Sequence, residues 1–390
     1  MRPLPAVTND IDRFDMKGIL FMKCKVAIAE KMGASFVIEE CELADPKEYE
    51  ARIKIMTCTI CHSDLHGVRG EHGAYEGCAT AGHEIAGIVD AVGSKVTYVK
   101  PGDRVLCSVM RAGCGVCENC MRGHSWYCEN LPQVGFRQPG PYTRANGTIP
   151  IQTNMGATGF AEYTNSHEAF LCKIDDDIPY VIASTLACGF IAGFGAILNR
   201  CQVKPGESVA VIGCGGVGLS AVQGARVSGA CPVFAIDVLD SKLELAKKCG
   251  ATHAINAKNS DPVEAIKAIN KHGVDYTVIA VAGKGMKRQA FNMTAPWGLT
   301  VMIGHGRPDE EMLDDFCAME FMQGKRFSGS AMGAVNLRRD IPKYMDYYRQ
   351  GIVDIECMLT NKFTLDQLNE ALDDSEHGAL KNIIVVGGEV

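Results

Sequence analysis

The chain has 390 residues, 47% of them hydrophobic, with a formal net charge of −7 and 18 cysteines. That length suits two or three domains of roughly 150 residues with sizeable cores, and the acidic balance excludes a nucleic-acid surface. Eighteen cysteines would signal disulfides in a small secreted chain, but Asp10, Asp12, Arg13 and Asp15 stand where an apolar signal core would lie. Metal binding in a reducing cytoplasm is the better account.

Residues 1–16 show no periodicity and read as an extension. From Met16 to about Tyr98 the pattern is short and β-rich. Ala51–Ile55 alternates apolar with basic residues, and Ile85–Val92 is a branched run broken by Gly87. Val99–Asp103 carries Pro-Gly turn chemistry into a strand at Arg104–Leu106.

Two segments inside this region carry chemistry. Cys61-His62-Ser63-Asp64-Leu65-His66 and Gly82-His83-Glu84 offer a thiol and an imidazole of the kind Zn²⁺ prefers, followed by carboxylates suited to orienting a ligand. Ser63 and His66 add a hydroxyl and an imidazole able to carry a proton. A catalytic zinc takes three protein ligands and keeps one position open, and Cys188 is the best third candidate.

Cys114-x₂-Cys117-x₂-Cys120-x₇-Cys128 follows, with glycines at 113, 115 and 123 for tight turns. Four thiolates at this spacing close a tetrahedral zinc site and leave no open position, so the expected role is structural. Residues 129–158 are rich in Pro, Gly, Asn and Thr and read as one long loop. Gly159–Ile174 returns to strand-like material. Ile182–Leu198 is apolar, but Ser184, Thr185 and three glycines interrupt it and Asn199-Arg200 close it. It reads as a buried segment rather than a membrane span.

From Val203 the sequence alternates strand with helix. The apolar strand Ser208–Ile212 runs into Gly213-Cys214-Gly215-Gly216-Val217-Gly218, a helix opens behind it, and Asp237 closes the next strand. That context makes G-x-G-x-x-G a dinucleotide site. Gly213 permits the turn, Gly215 lets the backbone approach a pyrophosphate, and Gly218 lets helix and strand pack closely. Asp237 would accept hydrogen bonds from ribose hydroxyls and repel a 2′-phosphate, which favours NAD. Helices at Ser241–Cys249, Pro262–Asn270 and Met286–Thr294 alternate with strands at His253–Asn256, Asp275–Val281 and Leu299–Gly304. This predicts a doubly wound α/β sheet. A helix at Asp340–Gln350 and a strand at Asn382–Val386 complete the chain.

On these residues, from about Lys17 onward, the chain resembles the zinc-dependent alcohol dehydrogenases of the medium-chain dehydrogenase/reductase family. The resemblance implies a GroES-like β-rich catalytic domain at 1–189 and 333–390, and an NAD-binding Rossmann domain at 190–332 with its last strand near Gly329–Gly333. It implies two zinc ions per subunit: a catalytic one among Cys61, His83, Glu84 and Cys188, and a structural one on Cys114, Cys117, Cys120 and Cys128. Ser63 and His66 match the family's proton relay. Lys242 matches its adenosine-ribose lysine, and Ile303 falls beside the cofactor. His62 and Lys381 stand where phosphate-binding arginines are common, and neither offers arginine's bidentate fork. Met110, Asn154 and Met155 fall at substrate-pocket positions, implying a roomy pocket with one polar contact.

The expected activity is hydride transfer between an alcohol and NAD in a cytoplasmic enzyme, giving an aldehyde or ketone, with no nucleic-acid or membrane partner. The long 129–158 segment resembles the dimeric branch, so a homodimer is expected, with a tetramer as the alternative. Rival readings are an NADPH-linked aldehyde reductase, a dehydrogenase of a cyclic or thioester-bearing secondary alcohol, and a non-catalytic zinc and dinucleotide binder. A mere binder has no need of Ser63 and His66.

Overall fold

The computed structural model describes residues 22–71, 73–131, 137–154, 156–304 and 316–388. The extension at 1–16 and Met155 lie outside them.

The β-rich part folds as two sheets. Met22–Ala29 and Phe36–Leu43 form a hairpin in unbroken antiparallel register from Met22↔Leu43 to Ala29↔Phe36. Glu50–Thr59 is the hub of the second sheet, buries Ala51, Ile53 and Ile55 on one face, and pairs with Glu84–Val92 and Tyr163–His167. Gly87 sits where any Cβ would lie 2.2 Å from the Lys54 carbonyl, beside a register shift between Ile55 and Thr57. Close backbone approach at a bulge is the use of a strand glycine. The far end of the chain returns to this sheet: Lys381–Val385 pairs antiparallel with Thr57–Thr59 and parallel with Leu359–Thr364.

The apolar run is buried and helical, as Tyr180–Thr185, Gly189–Gly195 and a π-helical turn at Ala196–Cys201. Its glycines explain themselves through packing: a Cβ on Gly193 would lie 1.9 Å from the Val217 carbonyl of the neighbouring helix. Phe190 stacks on Phe194 in the core beside it, and Tyr344 meets Phe194 edge-on. Truncating Phe194 to alanine would cost about 3–5 kcal/mol. Among the described residues no helix is long and apolar enough to cross a membrane.

The third sheet is parallel throughout, in the order His253–Asn256, Val233–Asp237, Val209–Ile212, Val274–Ile279, Thr294–Met302, Arg326–Gly329. In chain order this is 3-2-1-4-5-6, the doubly wound arrangement, and its order reverses between Val209–Ile212 and Val274–Ile279. Ligands bind at that reversal, outside the carboxyl ends of the strands. The fold class therefore agrees with the sequence.

Several local expectations need correction. The 129–158 segment contains short strands at Tyr142–Thr143 and Ile151–Gln152 that join the first sheet, so it is not one loop. The fifth parallel strand begins at Thr294, not Leu299, because Thr294 already pairs with Val274 before an irregularity. The last parallel strand is Arg326–Gly329. Met332 at φ 46 and Gly333 at φ 70 turn the chain away where the strand was expected to run.

Candidate active site and zinc centre

Cys61 is extended and caps the short helix His62–Val68. Asp64 at the third helical position accepts the Cys61 N–H at 3.2 Å, half of a capping box. The cap fixes Cys61 against the helix that carries Ser63 and His66. Asp64 is almost fully buried, and its Oδ1 accepts from His83 Nδ1 at 2.8 Å, Gly82 N at 2.9 Å and Asn154 Nδ2 at 2.8 Å. A carboxylate only accepts, so Nδ1 carries the His83 proton and Nε2 faces the other ligands. Gly82 has φ +93, and a Cβ there would meet Phe160 N at 2.7 Å, so only glycine fits before His83.

Cys188 caps the helix Gly189–Gly195 and brings its Sγ to 3.3 Å from His83 Nε2. One ligand atom each from Cys61, His83, Glu84 and Cys188 lies within 4.8 Å of the others. Burial pushes the Glu84 carboxyl up to about 7, against the pull of Lys381. Glu84 Oε1 accepts from Lys381 Nζ at 2.5 Å and Gly189 N at 3.1 Å, whereas Oε2 is buried without a partner. The Cys61 thiol falls well below its ordinary range, chiefly through its hydrogen bond with Cys188 and the positive charges of Lys381 and His83. Two sulfurs, an imidazole and an orphaned carboxylate oxygen form an electron-rich buried set that suits a divalent cation, zinc above all.

The second cluster is all sulfur. Cys114 and Cys120 sulfurs are 4.0 Å apart and those of Cys117 and Cys128 3.9 Å. A tetrahedron with Zn–S bonds near 2.3 Å has edges of about 3.8 Å. Backbone N–H groups of Cys114 and Cys117 point at Cys128 and Cys114 sulfurs, each at 3.3 Å. The Val116 and Cys117 N–H groups draw the Cys114 thiol down to about 6. Burial pushes the Cys120 thiol the other way, up to about 12, yet four sulfurs so close together are a donor set that fits zinc.

A cavity of about 610 Å³ runs from the first cluster along the carboxyl ends of the parallel strands. Cys61, Ser63, His66 and Cys188 line one end, and Gly213, Gly215, Gly216, Val217, Asp237 and Lys242 the other. His62, Ile303 and Lys381 face it as well. Gly215 caps the helix Gly216–Val227, whose free N–H groups suit a phosphate. Gly218 does not line the cavity, for a Cβ on it would lie 1.7 Å from the Gly213 carbonyl. Asp237 Oδ2 accepts the Cys214 N–H at 2.7 Å, and Oδ1 accepts those of Val238 and Leu239 at 2.7 and 3.0 Å. The acid and the fingerprint thus hold each other in place.

Two family models match the chain, an alcohol dehydrogenase GroES-like domain over residues 47–176 and a zinc-binding dehydrogenase over 216–350. Alcohol dehydrogenase 1 of Trifolium repens is 33% identical over 363 residues, covering 90% of this chain and 94% of its own. The chain belongs to the zinc-binding alcohol dehydrogenase family.

Other members bear on the chemistry. S-(hydroxymethyl)glutathione dehydrogenase of Escherichia coli O1:K1 / APEC is 34% identical, over 92% of this chain and 98% of its own. The crystal structure of benzyl alcohol dehydrogenase from Acinetobacter calcoaceticus matches with a TM-score of 0.85 at 30% identity, over 94% of this chain and 100% of that one. A zinc-binding dehydrogenase from Sinorhizobium meliloti 1021 bound to NADP matches with a TM-score of 0.75 at 25% identity, over 93% and 99%.

Within this dehydrogenase the three expected substrate-pocket residues fare differently. Met110 is packed in the large apolar core, and Asn154 has its amide on Asp64, behind the ligand His83. Neither is among the residues lining the cavity. Lys381, expected on phosphate, lines the cavity but spends its ammonium on Glu84. Sequence reasoning did not find Ser330, Met332 or Ala280, which also wall the cavity. Their contribution follows from strand ends and a left-handed turn that no local motif announces.

Proposed function

We propose that this protein is an NAD-linked alcohol dehydrogenase with two zinc ions per subunit, interconverting an alcohol and its aldehyde or ketone. One observation carries the reading: the Cys61–His83–Cys188 cluster opens into the same cavity as the glycine fingerprint and Asp237. In this reading residues 1–189 and 333–390 form the catalytic unit and 190–332 the cofactor unit.

A zinc ion held by Cys61, His83 and Cys188 supplies Lewis acidity toward an alcohol oxygen, and a nicotinamide in the cavity supplies the hydride acceptor. The rest falls to the chain's own groups. Asp64 fixes the His83 tautomer and ring direction. Gly215 and the helix behind it hold the pyrophosphate, and Asp237 accepts hydrogen bonds from ribose hydroxyls. Ser63 takes up the alcohol's proton path beside Cys61, whose sulfur is 3.7 Å from its hydroxyl. His66, one turn further along the helix, receives the proton. Cys114, Cys117, Cys120 and Cys128 hold the structural ion.

The test is NADH absorbance on mixing zinc-loaded protein, NAD and a panel of alcohols, with NADP in parallel. No turnover across the panel rejects the reading. A second substrate reading, S-(hydroxymethyl)glutathione, is favoured by the Escherichia coli relative, so formaldehyde with glutathione belongs in the panel.

A further inference from the structure

The helix that starts at Cys61 stops in a way that the chemistry above leaves unexplained. Gly70 has φ +71, its N–H donates to Gly67 O at 3.1 Å, and the Glu71 N–H reaches back to His66 O at 2.9 Å. These 5→2 and 6→1 bonds make a Schellman stop, which commonly brings the residue after the glycine against the one five positions earlier. That contact is usually hydrophobic. Here it joins His66 Nδ1 to Glu71 Oε2. The glycine is fixed from outside too, since a Cβ on Gly70 would lie 2.1 Å from Met32 Sδ.

We propose that Glu71 is the positioning residue of the proton exit: it sets the tautomer of His66 and passes the proton to water. An ionised carboxylate only accepts, so the hydrogen sits on Nδ1 and Nε2 carries the lone pair. His66 lines the cavity, and Glu71 is not among the lining residues. A proton arriving at Nε2 is matched by the Nδ1 proton leaving to Oε2, so no net charge stays on the ring. Glu71, with 26% of its side chain exposed, then releases it to water. Other charged and titratable groups stand near this path. His62 lies one turn back on the same helix, Lys242 and Lys381 stand on the cavity wall, and Arg69 is held at 2.7 Å by Glu376. The Schellman stop thus supplies a positioning carboxylate that the metal cluster and the cofactor site do not.

This rests on the reading of His66 as the proton acceptor. The experiment compares Glu71→Gln, Glu71→Asp and His66→Gln in zinc-loaded enzyme. It measures kcat for alcohol oxidation, NADH affinity by fluorescence, and ¹⁵N shifts of the His66 ring in histidine-labelled protein. Glu71→Gln is expected to lower kcat about tenfold, leave NADH affinity unchanged and turn one His66 tautomer into a mixture. Glu71→Asp is expected to restore most of the rate. A Glu71→Gln enzyme at full kcat beside a slow His66→Gln overturns the proposal and leaves the relay standing. Full rates in both variants overturn the relay itself.

Discussion

Lys381 Nζ lies 2.5 Å from Glu84 Oε1, and both side chains are buried. The pair ties the first residue of the last strand to the residue after His83, across 297 positions. It also explains why a lysine at this place does not simply wait for phosphate. Its charge is opposed by burial and restored by Glu84, Cys61 and Cys188, which together raise it.

Lys381→Met should therefore destabilise the protein by about 3 kcal/mol, because removing one partner strands a buried carboxylate. The double variant Lys381→Met/Glu84→Gln should regain at least half of that loss. Urea unfolding of the zinc-loaded proteins measures both. A single variant as stable as the parent would show that the pair contributes nothing net.

Metal analysis separates the two clusters. The native protein should carry two zinc ions per subunit, Cys61→Ser one, with the fold kept and turnover lost. Cys114→Ser should lose the other ion and unfold more readily, since structural zinc binding feeds directly into folding stability. Elemental analysis finding one ion or none in the native protein sinks the two-site assignment.

Cofactor choice should follow Asp237. Asp237→Gly should shift the NAD/NADP ratio of kcat/KM by about tenfold toward NADP, equivalent to ~1.4 kcal/mol. It should also lower stability by about 1–2 kcal/mol, because three backbone N–H groups lose their acceptor. Equal native turnover with NADP would remove the role given to this carboxylate.

The relay is tested by pH. His66→Gln should keep zinc and cofactor binding yet slow oxidation up to about 10²-fold, mostly at lower pH, where solvent hydroxide cannot stand in for the missing base. Amine buffers should restore part of the rate. Ser63→Ala should be slower still, having lost the first link. An unchanged pH–rate profile in His66→Gln means that the proton leaves by another route.

What could be read beforehand was whatever is written locally. The four cysteines between 114 and 128 fold into one lobe because short spacings leave the chain little choice. The fingerprint at Gly213–Gly218 was legible because strand, turn and helix follow one another. The contact of Asn154 with Asp64 could not be read, because its partner lies 90 residues earlier and nothing near Asn154 marks it. Met110 was expected at a surface of the pocket and went into the core, since an apolar side chain looks the same in either place. The left-handed turn at Met332 and Gly333 ended a strand that the family resemblance had placed near Gly329–Gly333. Glu71 did leave a trace, a glycine four residues after His66 with an acid behind it, but a helix stop is ordinarily read for its backbone.

The strand Lys381–Val385 lies between Glu50–Thr59 and Leu359–Thr364, so two stretches far apart in the chain share the interior of one sheet. Ala379, Leu380 and Lys381, at the entry to this strand, also wall the cavity, so the same pairing that closes the sheet sets that wall in place. Anything that unzips this strand from Thr57–Thr59 opens the sheet and the cavity together.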